Sequence, residues 1–85
     1  MTKADILKEL NLDDSYEIHE YIETEKCVYV IAHNIIIPEG EFINYTPGEY
    51  AKWKKNNKWF TPNCYTDNDL YIEIKGKKSM LDTLQ

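Results

Sequence analysis

The sequence predicts an α+β domain: a small antiparallel sheet of about four strands with one or two helices packed on one face. Three observations carry this expectation. Apolar residues recur at helical spacing near the start, runs of strand length follow that are either alternating or wholly apolar, and 85 residues are enough for a single domain, 1-85.

The first element is a helix from about Lys3 to Leu10. Thr2 with Asp5 three residues later forms an acidic variant of the capping box, and Ile6, Leu7 and Leu10 follow at helical spacing. From Tyr16 the period shortens to two. Tyr16, Ile18 and Ile22 share one parity and Glu17, His19, Tyr21, Glu23 and Glu25 the other, with Glu20 interrupting the apolar side. The β-branched and aromatic content favours a half-exposed strand over a helix begun at Ser15. After a turn at Thr24 to Lys26, the run Cys27 to Ala32 is apolar on both parities, which suits a central strand covered on both faces. Ile35 to Ile37 and Phe42 to Tyr45 flank Pro38-Glu39-Gly40-Glu41 and read as a hairpin.

Thr46-Pro47-Gly48-Glu49 combines a good N-cap, proline at the first helical position and glutamate at the third. A second helix is therefore predicted from Pro47 to about Asn56, with Tyr50 and Trp53 turned inward. Trp59 to Tyr65 is aromatic but irregular, and Pro62 argues against a central strand there. Thr66 to Asp69 is a cluster of turn residues. Leu70, Ile72 and Ile74 then alternate with Tyr71, Glu73 and Lys75 up to Gly76, predicting a last strand, after which Ser79 to Asp82 either caps a short helix or frays.

Composition sets outer bounds on function. With 42% hydrophobic and 13% aromatic residues the chain can form a core, so disorder is not expected. The longest apolar stretch, Cys27 to Ile37, is 11 residues broken by His33 and Asn34, far short of the roughly 20 that span a bilayer. No membrane partner is expected. Asp5 stands where a secretory signal would be basic, so a cytoplasmic location is expected, with Cys27 and Cys64 as buried thiols rather than a disulfide. All ten basic residues are lysine, and Ile, Asn and Tyr are abundant. That usage goes with AT-rich genomes, and in a short acidic chain it is associated with accessory proteins of phages and mobile elements.

Charge is unevenly distributed: residues 1–49 carry a net −8, residues 50–60 a net +4 and residues 61–85 a net −1. Two candidate surfaces follow. Asp13, Asp14, Glu17, Glu20, Glu23 and Glu25 place six acids within thirteen residues with no base among them. On a strand, Glu17, Glu23 and Glu25 form a file of carboxylates with Tyr21 among them and Glu20 beside it. Such a face docks on a basic groove of another protein, occluding it, with Tyr21, Tyr65 and Tyr71 as further contact area. The plainer reading is a solvated strand face that keeps the chain soluble and its edge unpaired.

The second candidate is Lys52, Lys54, Lys55 and Lys58 interleaved with Trp53, Trp59 and Phe60, a pattern that tracks phosphates and stacks bases of single-stranded nucleic acid. Lysines in a last helical turn and tryptophans in a small core account for the same residues, and overall acidity and the lack of arginine weigh against nucleic acid. A third class is a structural subunit whose edge strand pairs with neighbouring copies in a larger assembly.

Chemistry is weakly encoded. Cys27, Cys64, His19 and His33 are the right types for zinc, but no ligand spacing organises them, so no metal is expected. Gly40, Gly48 and Gly76 are too scattered for a phosphate loop, and no cofactor is expected. No nucleophile or acid–base pair is legible from spacing, so no catalytic residues are assigned and the protein is read as a non-enzymatic binding module. A pocket near Trp53, Trp59 and Tyr65 with lysines at its rim would hold an anionic metabolite or nucleotide.

Overall fold

A computed structural model describes residues 2–35 and 48–84. The hairpin expected around Pro38 to Glu41 lies outside them. Helix α1, Lys3–Glu9, is capped as anticipated: the Thr2 hydroxyl accepts from the Asp5 amide at 3.2 Å, and the Asp5 carboxylate accepts from the Thr2 amide at 3.1 Å. It closes on Asn11, which takes the left-handed conformation at φ 60. The Asn11 amide donates to Lys8 and the Leu12 amide to Leu7, a closure that brings Leu12 back against the same core as Leu7.

Among the described residues four strands follow in an antiparallel sheet of order β1-β2-β3-β4. These are β1, Tyr16–Glu23; β2, Cys27–Asn34; β3, Gly48–Trp53; and β4, Trp59–Phe60. The wholly apolar β2 lies between β1 and β3, in the central position its composition demands. β1 holds a bulge. Ile18 pairs with Ala32 and Glu20 with Ile31, so His19 has no place in the ladder. Alternation restarts one residue late, and Tyr21 joins Ile18 on the core side with 4% of its surface exposed.

The sheet is covered on both faces. On the first face Ile6 and Leu7 of α1 pack against Ile18, Tyr21, Val28, Val30 and Ala32. On the second, Leu70 and Ile74 pack against Ile22, Cys27, Tyr29 and Ala51. Ile6 and Leu70 are fully buried, and burying a side chain of this size contributes about 1.5–3 kcal/mol. The α+β class with four antiparallel strands is therefore observed, while the two helices are divided between the faces rather than sharing one.

Two elements differ in type from their prediction. Gly48–Trp53, expected in a helix, is a strand whose residues pair with Cys27 to Ala32 of β2. The Tyr50 ring folds back so closely over Gly48 that a β-carbon there would lie 2.8 Å from the phenolic oxygen. Conversely Asn68–Ile74, expected as a strand, is helix α2 with Leu70 and Ile74 inward and Ile72 outward. Gly76 does end this element, but as a helix terminator at φ 78, next to a Lys77 amide that donates to Ile74 at 3.0 Å.

Both outer edges are guarded. Along β1 the Tyr21 amide donates to the Ser79 hydroxyl at 3.1 Å and its carbonyl accepts from the Met80 amide, so the C-terminal segment lies against this edge. A 3-10 turn, Leu81–Thr83, then returns Leu81 and Leu84 to the first core. β4 is only two residues long and soon followed by Pro62, which has no amide to donate.

Candidate functional site

The bulge rearranges the predicted acidic file. Glu17 and Glu20 pair with His33 and Ile31, which puts them on the second face. Glu23 pairs with Val28 and so stands on the first, where its carboxylate accepts from the Tyr21 hydroxyl at 2.5 Å and from Lys54 at 2.7 Å. Glu25 is exposed in the turn beyond β1. Tyr21 is buried, and its hydroxyl is pushed well above the ordinary phenol range by burial and then by the Glu23 hydrogen bond. Of the three tyrosines expected on the surface, Tyr65 is 89% exposed, Tyr71 is half-buried and Tyr21 is not available.

A different acidic group takes the place of that file. Ile31 pairs with Glu20 on one side and Glu49 on the other, so both side chains stand on the second face, on strands about 9–10 Å apart across β2. Glu17 lies one pleat further along. Its carboxylate is 3.7 Å from His33 Nε2, and the His33 ring sits 3.9 Å, centroid to centroid, from that of His19. Ile31, half-buried at the margin of the α2 core, lies at the centre. Glu49 also anchors the helix, since its carboxylate accepts from the hydroxyls of Tyr29 and, at 3.3 Å, Tyr71. Burial, then Glu49, and at longer range Glu20, push the Tyr29 hydroxyl upward. Linear reading missed Glu49, which lies 29 residues from Glu20 and inside the segment read as a helix; cross-strand pairing alone brings the two together.

The basic and aromatic segment is dispersed. Lys52 is buried, with its ammonium 3.2 Å from Glu9 Oε1, 2.9 Å from Asn57 Oδ1 and 4.9 Å from the centroid of the Trp59 ring. Trp59 Nε1 donates to the same Glu9 oxygen at 3.0 Å. These groups tie α1 to the sheet. The Glu9 carboxyl is held below the ordinary carboxylate range by the Trp59 hydrogen bond first, with Lys52 adding to it against the effect of burial. Lys54 is paired with Glu23, while Lys55 and Lys58 are exposed. Trp53 packs on the second face and Trp59 on the first, so the two do not line one pocket.

Cys27 is buried and Cys64 exposed, both as thiols; the expectation of two buried cysteines holds only for Cys27. Among the described residues no group of three or more His, Cys, Asp or Glu is arranged to hold a metal ion, and no helix is long and apolar enough to cross a membrane. No family model matches the chain, and no curated protein or solved structure matches it either.

Proposed function

We propose that this chain is a non-enzymatic binding module that engages another protein through the acidic end of its second sheet face, Glu17, Glu20 and Glu49 around Ile31. The observation that supports this reading is the cross-strand register, which gathers carboxylates from β1 and β3 about a half-buried apolar centre. Such a patch complements a groove lined by Lys or Arg. The charges speed encounter, while Ile31 adds apolar contact once water is expelled. Occlusion of a partner's basic groove, in the manner of a phage or mobile-element inhibitor, is the mechanism this charge pattern serves.

Nucleic-acid binding through the Lys/Trp segment is less well supported, since Lys52 and Lys54 are neutralised by Glu9 and Glu23. Assembly by strand pairing is disfavoured by the guarded edges of β1 and β4.

The test is affinity capture from lysate of the source cells at low and high salt, with and without nuclease. The wild-type chain, an E17K/E20K variant and an E25K control are compared. A nuclease-resistant protein, released by salt, retained by E25K and lost at least tenfold with E17K/E20K is expected. Capture of the same protein by E17K/E20K with unchanged salt dependence overturns the reading.

A further inference from the structure

A second site lies away from the acidic face, where two turns meet. The turn after β1 and the end of β3 are joined by a backbone hydrogen bond from the Lys54 amide to the Lys26 carbonyl, 2.9 Å long. Their junction forms a niche of about 280 Å³ lined by Glu25, Lys26, Trp53, Lys54 and Lys55. Its floor is the part of Trp53 left uncovered by the second core. Lys26 and Lys55 are exposed and line the niche beside Trp53, while the Lys54 ammonium is taken up by Glu23 on the first face. Glu25 is on the rim, and Glu23 pairs with Lys54 at 2.7 Å. Three cations and two carboxylates thus leave a local excess of one positive charge in a chain of net −5.

We infer that this niche binds a small planar aromatic anion, a single ring system bearing one phosphate or carboxylate, stacked on Trp53 with its charge held by Lys26 and Lys55. The volume lies just below the usual range for ligand sites and accommodates one ring system rather than an extended chain. Charge selects the same class. Screening confines the lysines' attraction to about 8 Å at physiological ionic strength, which is enough for one anionic group, whereas a polyanion running on over the surface meets the acidic remainder of the chain. This inference is independent of the acidic face. It also replaces the linear grouping of Lys52 to Trp59 with a site in which Lys26 comes from the other hairpin.

The probes are adenosine monophosphate, adenosine, inorganic phosphate and a single-stranded oligoadenylate, followed by amide and indole chemical shifts of the labelled full chain. Saturable shifts centred on residues 26 and 53–55 and the Trp53 indole are expected with adenosine monophosphate. Its dissociation constant should be about a millimolar or below, the range one stack plus exposed charge supports. Adenosine and phosphate alone should each bind more weakly. K26E/K55E should weaken adenosine monophosphate roughly tenfold, with K26Q/K55Q in between. Absence of saturable shifts with adenosine monophosphate, or shifts unaffected by K26E/K55E, overturns the site. Oligoadenylate binding that is tighter per chain, falls with salt as several phosphate contacts require and maps to Lys58 likewise overturns it, in favour of a nucleic-acid surface.

Discussion

The two faces of the sheet are each closed by a seven-residue helix, and each helix is tied down by one glutamate accepting from two donors, but the donors differ. On the first face Glu9, from the helix, accepts from the Lys52 ammonium and the Trp59 indole. On the second, Glu49, from the sheet, accepts from two phenols, Tyr29 below it and Tyr71 on the helix. The first anchor pairs opposite charges with the cation almost wholly buried; the second joins a carboxylate to neutral hydroxyls. The difference assigns the first face its sensitivity to acid, while raised phenols, Tyr21 and Tyr50 on the first face and Tyr29 and Tyr71 on the second, make both faces sensitive to base.

The apolar contribution should be alike on both sides. Ile6→Ala and Leu70→Ala each remove a fully buried aliphatic side chain, and each should cost about 2–5 kcal/mol in urea unfolding. A loss well below that on one face only would mean that its helix contributes little to the fold. The anchors should separate next. Glu9→Ala leaves an ammonium that is 8% exposed with only neutral partners, Asn57 and the Trp59 ring, and should cost about 2–3 kcal/mol, whereas Lys52→Met leaves only a partly exposed carboxylate and should cost less than about 1 kcal/mol. The reverse order in denaturant titrations would show that Lys52 acts by packing rather than by charge.

Titration sharpens the contrast. Because the folded state lowers the Glu9 carboxyl, its stabilisation is whole above the ordinary carboxylate range and is lost as pH falls through the lowered value. Tyr29 and Tyr71 are raised, mainly by burial, so their stabilisation is whole below the ordinary phenol range and is lost as pH rises through the raised values. Residue-resolved amide exchange should show α1 loosening before α2 as pH falls, and Tyr71→Phe should reduce the loss of stability in alkaline urea unfolding. The smallest effect is expected at the exposed Lys54–Glu23 pair. A double-mutant cycle there should give about 0.2–1 kcal/mol and shrink with salt.

The fold was legible where local signals and tertiary contacts agree. The Thr2–Asp5 box sets α1, and the unbroken apolar run of β2 demands the central position. It was misread where they conflict. Thr46 to Glu49 carries a helix start, but Ala51 and Trp53 face one core while Tyr50 and Lys52 face the other, and pairing with β2 prevails over the local cap signal. Leu70, Ile72 and Ile74 satisfy period two, yet Leu70 and Ile74 are also one helical turn apart, and Ile72 at 63% exposure shows which period won. The helix serves to roof Tyr29 and Ala51, a need that exists only once the sheet has formed. For the acidic site, Glu17 and Glu20 could be anticipated. Glu49 could not without the register, nor could the loss of Glu23 without the bulge.

That bulge also determines where β1 tolerates a change of length. Because His19 has no partner in the ladder, deleting it would leave Glu17, Ile18, Glu20, Tyr21 and Ile22 on the faces they already occupy, at the loss of the ring contact with His33. A one-residue deletion within the regular part of the ladder inverts every side chain beyond it, carrying apolar groups into water and carboxylates into the core. Position 19 is thus the place where β1 can lose one residue while both cores stay intact.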